Sequence, residues 1–87
     1  MQVAEEYNGW KNRATWNVAL WIANDEWLYN KAVAFVKRQK ELGKRVTYGG
    51  FVAYARLGGM RTPDRFSFLG TRLDTKALAE MLLEFAE

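Results

Sequence analysis

An all-α domain of four or five short helices around a tryptophan-rich core is the fold this sequence predicts, on three observations. Apolar residues recur at helical spacing over 12–24, 26–42 and 75–87. Residues that cap helices (Asn12, Asn24, Thr47, Thr62 and Asp74) stand ahead of those and other apolar runs. Composition adds the third: 49% hydrophobic and 15% aromatic residues in an 87-residue chain supply a dense interior for one small domain. The alternative is an α+β arrangement with a short hairpin within 46–73, where the pattern fits either period.

Residues 1–7 read as a tail that orders through Tyr7, and the remainder as a single domain within 1–87. In "NRATWNVALWIAN", Trp16, Ala19, Leu20 and Ala23 share one stripe and Val18, Trp21 and Ile22 an adjoining one, so the first helix is apolar over most of its circumference. Asn12 is its expected N-cap. "NDE" at 24–26 reads as a stop and restart, with Asn24 as cap and Asp25 and Glu26 in the first turn, where the helix dipole favours negative charge. The second helix, "EWLYNKAVAFVKRQKEL", puts Leu28, Ala32, Phe35, Val36 and Leu42 on one face, gathers cations in its last turns and ends at Gly43. "RVTYGGFVAYARLGG" is ambiguous: Thr47 can cap a short helix closed by Gly58 and Gly59, or "FVAYARL" can be a strand. In "TPDRFSFLG", Thr62, Pro63 and Asp64 suit the cap and first turn of a short helix before Gly70. Asp74 then caps the last helix, whose stripe is Leu78, Met81, Leu82 and Phe85.

The net charge of +3 conceals segregation. Residues 1–30 carry −2, residues 31–72 carry +8 with only Glu41 and Asp64 as acids, and residues 73–87 carry −3. Such a distribution makes a basic side that attracts anionic partners. Without cysteine there is no disulfide framework or thiolate metal site, and without histidine the commonest metal ligand and general base are missing. No cofactor or metal is expected. "GKRVT" lacks the upstream glycine and adjacent hydroxyl of a phosphate-binding loop, and the carboxylates Asp64, Asp74, Glu80 and Glu84 fall at cap or surface positions. No enzymatic role is expected. The start, "MQVAEEYNGW", is acidic and lacks an apolar leader core, and no stretch reaches the roughly 18 apolar residues of a membrane span. The expectation is a cytoplasmic protein.

At "YNGWKNRATWNVALWIANDEWLY", residues 7–29, the chain resembles a family of small phage and bacterial proteins with the motif Tyr-Asn-Gly-Trp-x-Asn-x-x-Thr-Trp-Asn-Val-x-Leu-Trp-Ile. Trp10, Asn12, Thr15, Trp16, Asn17, Leu20 and Trp21 stand at the motif positions. The resemblance covers about a quarter of the chain and defines no general activity. It implies a phage or mobile-element accessory protein, of a kind that commonly binds and blocks host factors in anti-defence and anti-CRISPR roles.

Large rings dominate burial in small domains, so Trp10, Trp16, Leu20 and Trp21 are expected in the core, with Asn8, Asn12, Thr15 and Asn17 as nearby acceptors for the indole N–H groups. Trp27, Tyr29 and Tyr54 are candidate aromatic contacts at the surface. The candidate binding residues are Lys37, Arg38, Lys40, Lys44, Arg45, Arg56, Arg61, Arg65 and Arg72. Five of the six cations after residue 44 are arginine, whose planar fork bonds carboxylate or phosphate bidentately. The expected function is non-enzymatic binding of a host protein, itself part of a nucleic-acid-handling complex, through this basic segment. Direct DNA or RNA binding is the second reading, and a homodimer through the last helix the third.

Overall fold

The computed structural model describes residues 7–86, and the fold is all-α. Four helices follow in order: α1 (Arg13–Asn24), α2 (Glu26–Glu41), α3 (Tyr48–Ala55) and α4 (Thr75–Phe85). The tail expected for residues 1–7 lies, apart from Tyr7, outside the described residues. Tyr7 and Trp10 exchange both backbone hydrogen bonds at 2.7 Å, which closes a tight turn ahead of α1.

Local capping chemistry sets the helix starts. Asn12, Thr47 and Asp74 accept from the backbone N–H groups of Thr15, Gly50 and Ala77, each satisfying a donor that no helical carbonyl can reach. The restart between α1 and α2 falls one residue later than the sequence suggests. Asp25, not Asn24, is the cap: its side chain accepts from Leu28 N while its own N–H donates to Trp21 O. Asn24 instead ends α1 and donates to Leu20 O. A single extended residue thus ends one helix and starts the next. Beyond α2, Gly43 takes a positive φ of 69°, as expected of a glycine after a helix.

The ambiguous middle resolves as helix. Phe51, Val52 and Ala55 of α3 turn inward, and Phe35 of α2 meets the rings of Phe51 and Tyr54 at 6.1 and 5.5 Å. The helix closes earlier than Gly58 and Gly59, on Arg56 in the left-handed conformation (φ 60°). The fifth helix expected at Thr62–Gly70 does not form. Residues 56–74 make a long connection held by one antiparallel bridge, Arg61 to Ser67. Thr62 Oγ1 accepts from Phe66 N there, so the cap-like residue nucleates a turn.

The interior differs from the expected one. Its large rings are Phe35, Tyr48, Phe51 and Phe68, surrounded by Val18, Ile22, Leu57, Leu78 and Leu82. Trp10 and Trp21 are only half-buried and pack against that cluster, while half-buried Trp16 meets Tyr7 at 4.7 Å. Leu20 is 36% exposed. The buried stripe of α1 is Thr15, Val18, Ala19 and Ile22, and at 3.6 residues per turn Leu20 lies roughly 150° from its centre. The two indoles of α1 flank that stripe and seal its edges.

Candidate functional site

The nine candidate cations do not share one face. Lys37, Arg38 and Lys40 lie on the last turns of α2, with Lys44 and Arg45 on the link that follows. Lys37 borders a groove of about 440 Å³ with Tyr29 and Phe85, and Lys40 Nζ donates to Ala86 O at 3.4 Å. Arg45 and Lys76 both line a groove of about 470 Å³. Arg56, Arg61 and Arg65 belong to the opposite end, since Arg61 borders Trp27 and Leu28 at the start of α2. Trp27 is ten to thirteen residues of α2 from Lys37 and Lys40, about 15–20 Å at 1.5 Å per residue. Arg72 stands apart again: its carbonyl accepts from Asn12 Nδ2 at 2.8 Å, beside the start of α1.

The end that carries Arg61 also holds a groove of about 310 Å³ between the α1–α2 corner and the long connection. Buried Leu28, Leu57 and Phe68 line it together with half-buried Trp21 and exposed Pro63. Trp27 and Met60, each 52% exposed, border it as well. Lys31 lies with its ammonium 5.5 Å from the Trp27 ring and 5.8 Å from the Tyr54 ring, within cation–π range of both. That contact ties two of the three candidate aromatic residues together. The third, Tyr29, stacks on Phe85 at 4.9 Å in the separate groove near Lys37.

A polar network ties the long connection, and with it one wall of the groove, to α1. Asn17 is 1% exposed although it lies on the side of α1 away from the core, because the connection crosses over it. Its Nδ2 donates to Asp64 Oδ2 at 2.7 Å and its Oδ1 accepts from Thr62 Oγ1 at 2.7 Å. Trp21 Nε1 donates to the same Asp64 oxygen at 3.0 Å. The indole acceptor is therefore Asp64, not one of the polar residues within the motif. At the other end of the connection, Thr15 Oγ1 donates to Asn12 Oδ1 and accepts from Asp74 N. Asn12, Thr15, Asn17 and Trp21 thus pin residues 62–74 to α1. Among the described residues, every buried side-chain nitrogen and oxygen has a partner. The Asn17 and Trp21 hydrogen bonds, with the Arg13 charge adding to them, hold the Asp64 carboxyl below its ordinary range. Burial pushes the Tyr48 phenol well above its usual value, and its hydroxyl donates to Phe68 O at 2.6 Å.

Sequence reasoning singled out Trp27, Tyr54 and Arg61 but not Met60, Lys31 or Asp64 as parts of one site. The Trp27–Lys31 pair carried a readable signal, the i, i+4 spacing of a helix. Met60 and Asp64 carried none, because their partners are distant in sequence.

The described residues form a small four-helix domain with a surface groove, and among them no group of three or more His, Cys, Asp or Glu could hold a metal ion. Residues 3–87 match the family of unknown function DUF7249, and the chain belongs to that family. No curated protein and no solved structure matches it. No helix among the described residues is long and apolar enough to cross a membrane.

Proposed function

We propose that this chain is a non-enzymatic binding protein that engages a macromolecular partner through the Trp27–Met60–Arg61 groove. The observation that carries the reading is the groove's composition. Tryptophan and arginine are over-represented among residues that dominate binding energy, methionine is enriched in interfaces, and exposed apolar side chains gather here around a cavity. The motif at residues 7–29 favours a phage accessory protein, acting as an inhibitor or modulator of an anti-defence or anti-CRISPR kind. The excess of arginine favours a target that presents carboxylates, or the phosphates of a nucleic acid it holds, which is the basis for reading it as a nucleic-acid-handling host protein.

Affinity purification from nuclease-treated host lysate tests this. One stoichiometric partner is expected with the wild-type chain. Recovery should fall with Trp27→Ala and with Arg56, Arg61 and Arg65 changed to Glu, while Lys37→Glu and Lys44→Glu at the far end should leave it intact. Equal recovery by Trp27→Ala would remove the groove from the reading. One observation favours direct nucleic-acid binding as a second reading: Lys31 sits against two exposed rings, the makings of a base-stacking platform. That reading requires affinity for an oligonucleotide to drop several-fold or more between about 50 and 200 mM salt.

A further inference from the structure

The groove at Trp27 is apolar within and has cations beside it, and this combination specifies the chemistry of an occupant. Leu28, Leu57 and Phe68 line it with buried aliphatic and ring carbon. Two nearby carboxylates, Asp25 in the lining itself and Asp64 behind Trp21, are already engaged. Asp25 Oδ1 accepts from Leu28 N at 2.9 Å, and Asp64 Oδ2 accepts from Asn17 and Trp21. The cations are engaged far less. Among the described residues, Lys31 contacts only the two ring faces. Arg61 donates one hydrogen bond, from Nη1 to Arg65 O at 3.1 Å, out of the five N–H donors a guanidinium carries. Arg56 is exposed one residue before Leu57, which lines the groove.

We infer that the groove receives an apolar side chain carried on an acidic segment of a partner protein, with the flanking Asp or Glu residues meeting Arg61 and Lys31. The inference rests on the binding reading above and names the partner's chemistry. Charge complementarity selects this occupant: a basic segment would be repelled, and a purely acidic one would leave the apolar lining in water. A nucleic acid would satisfy the cations and could stack on Trp27, yet it would leave buried Leu28 and Leu57 without an apolar partner.

Fluorescence anisotropy with labelled synthetic probes decides it. The probes are a short amphipathic peptide of Leu, Phe and Glu, the same peptide with Lys for Glu, a peptide of Ser and Glu, and a mixed-sequence single-stranded DNA. The Leu–Phe–Glu peptide should bind at least about tenfold more tightly than the other three. Trp27→Ala and the double change Lys31→Gln with Arg61→Gln should each cost it about tenfold. The double variant removes two positive charges while keeping polar side chains, and circular dichroism on both variants verifies the fold. Equal binding of the Lys peptide would overturn the inference, as would DNA binding that Trp27→Ala abolishes. A second copy of the chain as occupant would overturn it too; that outcome shows as a mass that rises with concentration and is lost in both Trp27→Ala and Leu83→Glu, Leu83 being exposed on acidic α4 beside Glu80 and Glu84. If the host partner is recovered in a Trp27-dependent way while the peptides show no charge preference, the acidic chemistry fails and the binding reading stands.

Discussion

Asp64 receives two hydrogen bonds on one carboxylate oxygen, from a buried amide and from an indole, and both donors belong to α1. Each bond favours the ionised form, so folding lowers the pKa of this group. The direction fixes the pH dependence. Above the unfolded value, about 3.9, the carboxyl is charged in both states and its contribution to stability is complete. As pH falls below that value the unfolded chain takes up the proton first, and the contribution fades until the folded pKa is passed. Asp64→Asn should therefore melt at a lower temperature than wild type at neutral pH, with the gap closing in strong acid. Thermal denaturation of the two proteins across the acid range provides the comparison. A gap that stays constant down to strong acid would mean that the charge of Asp64 has no part in holding the connection.

Adjacent glycines in α3 separate propensity from packing at the scale of an element. Gly49 and Gly50 both occupy the first turn after the Thr47 cap. A Cβ on Gly49 would meet nothing within 4 Å, whereas one on Gly50 would lie 2.9 Å from Thr47 Oγ1 and 3.0 Å from Phe35 Cζ. The hydroxyl is the cap itself and Phe35 is a core ring, so neither yields cheaply. Alanine gains about 0.5–1 kcal/mol over glycine within a helix where space allows. Overpacking costs about 1–3 kcal/mol. Gly49→Ala should therefore stabilise the protein and Gly50→Ala should destabilise it, as read by urea denaturation. Equal stabilisation by both would show that α3 does not rely on this close approach to α2. Gly50 thus has a physical reason to stay small that helix propensity alone would not suggest.

Legibility at the scale of the whole molecule follows the range of the interactions. Asn12, Thr47 and Asp74 could be read as caps because a cap and its donor are three residues apart. The apolar faces of α2 and α4 are readable for the same reason, except that Leu42, expected on the face of α2, lies past the helix end and is 52% exposed. Thr62 looked like another cap, but its hydroxyl bonds Asn17, 45 residues away, and a turn forms in place of the helix. The bonds that tie the connection to α1 span 43 to 60 residues, and no local pattern encodes such pairings. The groove shares this limit: Trp27 and Tyr54 were visible as exposed rings, while Met60 reaches the site only through the path of the connection. The basic segment of residues 37–72 divides for a related reason, because charge summed along a sequence does not record that α2 holds its ends apart.

A connection held by side chains should also open differently from the helices. Phe66 N donates to Thr62 Oγ1 at 3.2 Å, the hydroxyl that Asn17 fixes, and Thr62 N donates to Phe66 O at 2.8 Å across the turn this bond closes. In native-state hydrogen exchange these two amides should be slow despite lying outside regular secondary structure. Asn17→Ala leaves the buried Thr62 hydroxyl without its acceptor and removes one of the two donors to Asp64, at a cost of about 1–3 kcal/mol. If that cost falls on local opening, exchange at Thr62 and Phe66 should accelerate roughly tenfold or more, while amides of Ala32 and Val36 in the middle of α2 change little. Uniform acceleration would mean instead that the connection and the helices open as one unit, and the groove would then exist only in the fully folded molecule. Selective acceleration would leave α2 and α3 intact while the wall carrying Met60 and Arg61 swings free, so Asn17→Ala should weaken binding at the groove without touching any groove residue.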